Sequence, residues 1–122
     1  MITHAAGAET IVELDADGPL LSSEADAVDL LGELYGTGAD WLAIPVGRLA
    51  PDFFVLSNQK AGFFLQKLVN YGMKAAIVGD IAGFTAQSAP LRDFVRESNR
   101  GHHMRFVDTV DALIAERAET SP

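Results

Sequence analysis

One stretch in the middle of the chain, residues 57–80, constrains the fold more than any other. Its first part carries apolar residues at helical spacing, namely Ala61, Phe64, Leu65, Leu68 and Tyr71. Its last part, residues 75–78, is an unbroken apolar run that is typical of a strand covered on both faces. A helix that leads directly into a buried strand is half of a parallel crossover unit, so this stretch predicts an α/β fold.

The flanking segments continue the alternation of strands and helices. The patterns predict further strands at 10–15, 40–46 and 104–107, and further helices at 23–35, at 88–100 and from Asp108 onward. Residues 1–8 are weakly patterned, which leaves a frayed end, an edge strand or a dimer arm as alternatives. We therefore expect one α/β domain over residues 1–122, with loose ends at 1–8 and 118–122. Its sheet is expected to be mostly parallel, with four to five strands joined by crossover helices.

Composition and charge narrow the classes of function. The 122 residues include no cysteine, which excludes a disulfide framework, a thiolate metal site and a cysteine nucleophile. The net charge of −8 opposes binding to nucleic acid and to anionic membrane surfaces. No apolar run approaches the roughly 20 residues of a membrane span, and no basic-plus-apolar leader is visible at the amino end. We expect a cytoplasmic protein with no nucleic-acid or membrane partner.

Polar residues follow several of the predicted strands. In a parallel sheet, ligands gather beyond the carboxyl ends of the strands and at the amino ends of the helices that follow. The sequence therefore predicts a ligand site at this edge, with the candidates Arg48, Ser57, Asn58 and Asp80. For Ser57 and Asp80 there is a structural alternative, in which Ser57 is the amino-terminal cap of the central helix and Asp80 caps a turn.

The sequence predicts no catalytic triad, metal site or phosphate-binding motif. His102 and His103 enter a strand rather than leave one, so they are expected at the opposite end of the sheet from Ser57 and Asp80, out of reach of a catalytic triad. Two adjacent histidines also lack the spacing of a metal site, and the glycines match no phosphate-binding motif. We assign no catalytic residue and expect neither a metal nor a cofactor.

The central helix has one apolar residue on its polar side. Phe63 falls in the middle of that side, and its neighbours there are Gln59, Gln66, Lys67 and Asn70. An apolar centre with a polar rim is the composition of an interface. Either residues 1–8 of the same chain cover Phe63, or it contacts another chain. We predict that a second subunit or a partner protein buries it, most simply in a symmetric homodimer.

A series of short motifs spreads over most of the chain: Pro51, Phe53-Phe54, Ala61-Gly62, Gln66-Lys67, Asn70-Tyr71, Gly79-Asp80, Leu91-Arg92-Asp93-Phe94 and Glu97-Ser98-Asn99-Arg100-Gly101. In these motifs the chain resembles the bacterial family known as domain of unknown function 4180. The resemblance implies a small stand-alone bacterial protein and carries no established activity. Gly72 departs from the family pattern, which has a basic residue after the Asn-Tyr pair.

The order of the elements is similar to that of the STAS domain of anti-sigma factor antagonists, so the resemblance implies a STAS-like layered fold. Those proteins bind a partner kinase and are switched by phosphorylation of a serine at the start of a helix. Ser57 is the nearest match in position, although the segment around it reads Val55-Leu56-Ser57-Asn58 rather than Asp-Ser-Ser-Gly.

Three hypotheses about function follow from these patterns. The first is a non-catalytic, STAS-like binding or regulatory module that acts through protein–protein contacts. The second is a small enzyme or small-ligand binder with a polar site at the carboxyl ends of the strands. The third is a self-associating structural subunit.

Overall fold

A single five-stranded sheet organises residues 1–120, the part of the chain described by the computed structural model. Its strands are β1 (Ile2–Ala6), β2 (Glu9–Glu13), β3 (Trp41–Pro45), β4 (Lys74–Val78) and β5 (Met104–Val107). The α-helices are α1 (Glu24–Leu34), α2 (Lys60–Asn70), α3 (Ala82–Thr85), α4 (Ala89–Arg100) and α5 (Val110–Thr120). Three short 3₁₀ turns, Val46–Arg48, Pro51–Phe54 and Leu56–Asn58, connect β3 to α2.

The strands lie side by side in the order β1-β2-β3-β4-β5. β1 and β2 form an antiparallel hairpin, and the remaining pairs are parallel, with Leu42 opposite Ala75 and Ile77 opposite Phe106. This confirms the predicted α/β fold with a mostly parallel sheet. Of the three alternatives for residues 1–8, the edge strand is correct, and Gly7 makes the tight hairpin turn with a φ of +64°.

Alternate residues of the strands point into two separate apolar layers. The larger layer lies beneath α1, α2 and α4, and the strands supply Val12, Leu42, Ile44, Ala75 and Ile77 to it. The smaller layer lies beneath α5, and the strands supply Ala6, Ile11, Trp41, Ala43 and Ala76 to it. The period of two along each strand produces this division, since successive side chains leave a strand on opposite faces. Among the described helices, none has the length and apolarity needed to cross a bilayer.

The central helix follows the prediction along its buried face. Phe64 is fully buried and meets the Phe53 ring edge-on, with 5.6 Å between the ring centroids. The predicted start of the helix is wrong, because Ser57 lies in a 3₁₀ turn and does not cap α2. The Asn58 side-chain oxygen instead accepts a hydrogen bond from the Lys60 amide at 2.9 Å, and Gln59 between them adopts a left-handed φ of +64°.

Two other local expectations need correction. The start of the last helix is capped by Thr109 rather than Asp108, since the Thr109 hydroxyl accepts a hydrogen bond from the Ala112 amide at 3.1 Å. Residues 82–85, where the sequence predicted no helix, form α3. Of the predicted carboxyl-terminal loose end, residues 118–120 belong to α5, and residues 121 and 122 lie outside the described part of the chain.

Candidate functional site

An apolar groove of about 650 Å³ opens where the chain leaves β3 and β4. We call it the carboxyl-edge groove. It is lined by Pro51, Phe54, Val55, Leu56 and Ser57 from the 3₁₀ turns after β3, and by Gly83, Phe84, Gln87, Ser88 and Pro90 from the segment after β4. The position agrees with the general rule that ligands bind beyond the carboxyl ends of parallel strands.

Two stacked aromatic rings connect the two sides of this groove. The Phe54 and Phe84 rings are nearly parallel, 24° apart, with their centroids separated by 4.5 Å. Phe54 is buried, whereas Phe84 remains 38% exposed and Val55 remains 51% exposed. Phe84 therefore anchors α3 onto the turns before α2, and its accessible part adds to the apolar lining of the groove.

The polar side chains of the groove differ in whether they make hydrogen bonds within the chain. The Ser88 hydroxyl caps α4 by accepting a hydrogen bond from the Leu91 amide at 3.2 Å. The side chains of Ser57 and Gln87 make no hydrogen bond to any described residue. Their donors and acceptors are therefore available at the edge of an otherwise apolar surface, which is the usual make-up of a binding groove.

Arg48, a predicted site residue, is buried away from this groove. Its guanidinium donates hydrogen bonds to the Pro19 carbonyl at 3.1 Å and to the Asp15 carbonyl at 2.8 Å. Gly18 lies directly against it, since a Cβ at Gly18 would come within 2.8 Å of the Arg48 Cζ. The arginine thus holds the turn after β2 onto the turn after β3.

The other predicted site residues also make local bonds. Asn58 donates to the Asp52 carbonyl at 2.7 Å in addition to capping α2. Asp80 accepts a hydrogen bond from the Ala82 amide at 2.8 Å, so it caps the turn that begins α3. Of the four candidates, the structure places only Ser57 in the lining of the carboxyl-edge groove.

A second groove, of about 490 Å³, lies beside Phe63. We call it the α2 groove, and its lining consists of Leu56, Gln59, Gly62, Phe63, Gln66 and Phe94. Leu56 also lines the carboxyl-edge groove, so the two grooves are adjacent. Of the predicted interface residues, Phe63, Gln59 and Gln66 line the α2 groove. Asn70 binds Gln66 at 2.8 Å, and Lys67 pairs with Glu24 of α1 at 3.5 Å.

Phe63 itself is 54% exposed. The amino-terminal segment does not cover it, because β1 pairs with β2 at the sheet edge and packs against α5. The described chain thus leaves an aromatic ring beside an open groove.

One polar cluster was not foreseen from the sequence. The Glu9 carboxylate accepts hydrogen bonds from Trp41 Nε1 at 3.2 Å, Lys74 Nζ at 2.9 Å and Arg117 Nε at 2.7 Å. The cations of Lys74 and Arg117 also lie 5.7 Å and 5.0 Å from the centroid of the Trp41 ring. We call this the Glu9 cluster. It ties α5 to the amino ends of β2, β3 and β4.

The pKa of Glu9 is lowered in this environment. Burial acts to raise the pKa, but the hydrogen bonds and charges of Lys74 and Arg117 outweigh it and hold the pKa below the ordinary value of 4.5. Ionised Glu9 therefore stabilises the fold above pH 4.5, and this contribution is lost as the pH falls through the lower, folded-state pKa.

We expect Glu9→Gln to lower the free energy of unfolding by about 1–2 kcal/mol at pH 7, since it weakens charge-assisted hydrogen bonds. The difference from the wild type should shrink as the pH falls below 4.5, which urea unfolding at a series of pH values will measure. Glu33→Gln, on the exposed side of α1, is the control and should change stability by less than about 0.5 kcal/mol. A Glu9→Gln effect that does not vary with pH would contradict this account.

Comparison with known proteins identifies the family. The family model described as "Domain of unknown function (DUF4180)" matches residues 6–116. The chain belongs to this family. The match spans β2 to β5 entirely and most of α5, so the DUF4180 region includes both grooves and three members of the Glu9 cluster, Glu9, Trp41 and Lys74. Searches of curated proteins and of solved structures return no match. Among the described residues, no group of three or more histidine, aspartate or glutamate side chains is placed to hold a metal ion.

Proposed function

We propose that this DUF4180 protein is a non-catalytic, STAS-like binding module, and that a partner protein docks in the carboxyl-edge groove. The observation that carries the proposal is the composition of this groove. Its walls and floor are apolar and aromatic, and the side chains of Ser57 and Gln87 at its edge have hydrogen-bonding groups that no described residue uses. A few polar groups on an apolar surface are what a docking groove needs for orientation and affinity.

Charge indicates the chemistry of the partner. The chain has 17 acidic and 9 basic residues, and Asp52 and Asp80 belong to the two segments that approach the groove. Lys60 offsets Asp52 by pairing with it, but no ion pair is formed by Asp80 within the described residues. Electrostatic complementarity favours a partner segment in which an apolar side chain is flanked by lysine or arginine.

Ser57 offers a means of regulation within this proposal. The hydroxyl is exposed in the wall of the groove, and Ser57 is the nearest match in position to the phosphorylated serine of STAS domains, although it lies in the 3₁₀ turn before α2. A phosphate group there would add about −1.5 to −2 charges to an apolar surface. The added charge would act on both parts of the partner segment, since it disfavours the apolar side chain and attracts the neighbouring lysine or arginine, so phosphorylation would change the affinity of the groove.

Selection from a random peptide library displayed on phage tests the proposal. We expect the wild-type protein to enrich peptides that contain an apolar residue next to lysine or arginine. A synthetic peptide of the enriched sequence should shift the backbone NMR signals of Val55, Phe84 and Gln87. Val55→Lys should weaken its binding at least about tenfold, because the substitution places a charge in the apolar wall and repels the lysine or arginine of the peptide.

Val28→Lys is the matched control. Val28 is a valine of α1 that is 50% exposed, against 51% for Val55, and it lies outside the carboxyl-edge groove. We expect the peptide to bind this variant as it binds the wild type. The proposal fails if no peptide is enriched, or if the enriched peptide binds Val55→Lys and the wild type equally well.

A further inference from the structure

We infer that a second copy of this chain docks on the α2 face, where the two α2 helices cross at Gly62 and the Phe63 ring of each copy enters the α2 groove of the other. This interface is separate from the docking of a partner in the carboxyl-edge groove, with which it shares only Leu56. The inference therefore stands or falls independently of the proposed function.

Gly62 supplies the first argument. It lies in the interior of α2, where glycine destabilises a helix relative to alanine. Nothing in the described chain requires a glycine here, since a Cβ built at Gly62 meets no atom within 4 Å. A conformational reason is also absent, because Gly62 is not among the residues with a positive φ. Gly62 lines the α2 groove beside Phe63, so the absence of a side chain there permits close approach of a backbone from outside the chain.

The shape of the α2 face supplies the second argument. α2 packs against α1 on one side, whereas α4 packs mainly against β5, and an open groove remains between α2 and α4. Phe63 projects from the same helix that forms one wall of this groove. A projecting ring next to a cavity is self-complementary under a two-fold axis, because each copy offers both the ring and the groove that receives it.

Charge supplies the third argument and favours a second copy over a basic partner. The residues that line the α2 groove, Leu56, Gln59, Gly62, Phe63, Gln66 and Phe94, carry no charge. Two chains that each carry a net charge of −8 repel one another, so an uncharged surface is where they can associate with the least local repulsion. The lining of the α2 groove also offers a basic partner no acidic side chain with which to pair. Because added salt screens the repulsion between the copies, it should strengthen their association.

Sedimentation equilibrium over a range of protein concentrations and two salt concentrations measures the association of the full chain. We expect the wild type to form a dimer that is tighter at high salt. Phe63→Asp should weaken the dimer at least about thirtyfold, as the loss of a central aromatic anchor does. Gly62→Ala should weaken it at least about tenfold, because the added methyl group separates the crossing helices.

Gly32→Ala is the matched control for Gly62→Ala. Gly32 is an exposed glycine of α1, and a Cβ there likewise meets no atom within 4 Å. Both alanine variants should fold with an unchanged circular dichroism spectrum, and Gly32→Ala should leave the dimer constant within about twofold. A wild-type chain that stays monomeric at every concentration overturns the inference. So does a dimer that Gly62→Ala and Phe63→Asp leave intact, which would place the interface elsewhere.

Discussion

Replacing Trp41 by alanine is expected to lower the free energy of unfolding by about 3–5 kcal/mol, the range measured for removal of large buried aromatic side chains. Trp41 is fully buried beneath α5 and packs with Ile11, Ala43, Ala76 and Leu113. Its removal leaves a cavity in the smaller of the two apolar layers. The substitution also removes two parts of the Glu9 cluster, namely the indole N–H that donates to Glu9 and the ring against which the cations of Lys74 and Arg117 lie.

Urea unfolding at pH 7, followed by far-ultraviolet circular dichroism, measures this effect. Tyr35→Ala is the control, because Tyr35 is 91% exposed and its replacement should change stability by less than about 0.5 kcal/mol. The total stability of a small domain is only about 5–15 kcal/mol, so Trp41→Ala can leave too little folded protein to measure. In that case Trp41→Phe is measured instead, and its free energy of unfolding is expected to be lower than that of the wild type by about 1–2 kcal/mol. Wild-type stability in both Trp41 variants would contradict this packing.

We expect Arg48→Met to lower the free energy of unfolding by about 2–3 kcal/mol. Methionine retains the length and apolar character of the side chain but cannot donate hydrogen bonds, so the Asp15 and Pro19 carbonyls lose their charged donor. The turn at Gly18, which closes over the guanidinium, should become mobile. Thermal unfolding measures the first effect, and exchange of the Leu21 amide hydrogen, which the Arg48 carbonyl accepts at 2.7 Å, measures the second.

Arg96→Met provides the comparison for Arg48→Met. Arg96 is an exposed residue of α4 that pairs with Asp93 at 3.4 Å, and exposed pairs of this kind contribute little to stability. Its substitution should change stability by less than about 0.5 kcal/mol. If Arg48→Met unfolds like Arg96→Met, the buried guanidinium does not hold the two turns together.

The elements that could be predicted from the sequence are those whose pattern of apolar residues lies within one short stretch of the chain. The helical spacing of apolar residues from Ala61 to Leu68 predicted α2, because one buried face of a helix requires that spacing. The unbroken apolar run at 75–78 predicted β4, because a strand covered on both faces requires apolar residues at every position. The position of Phe63 on the polar side of α2 was predictable for the same reason, since its place around the helix follows from its place in the sequence. The start of α2 was harder, because Ser57, Asn58 and Gln59 can all begin a helix and the backbone conformation at Gln59 decides among them.

By itself the sequence determined the class of fold, the order of β2 to β5 and the longer helices between and after them, and the residues that face the core, since all of these depend on local periodicity. Only the tertiary structure decided which polar side chains meet. Glu9, Lys74 and Arg117 are far apart in the sequence, and each reads alone as a surface charge. Arg48 reads in the same way, as a free cation at the edge of the sheet, until the turn around Gly18 closes over it. Contacts of this kind depend on how the turns and α5 pack against the sheet, and no pattern of neighbouring residues records that packing.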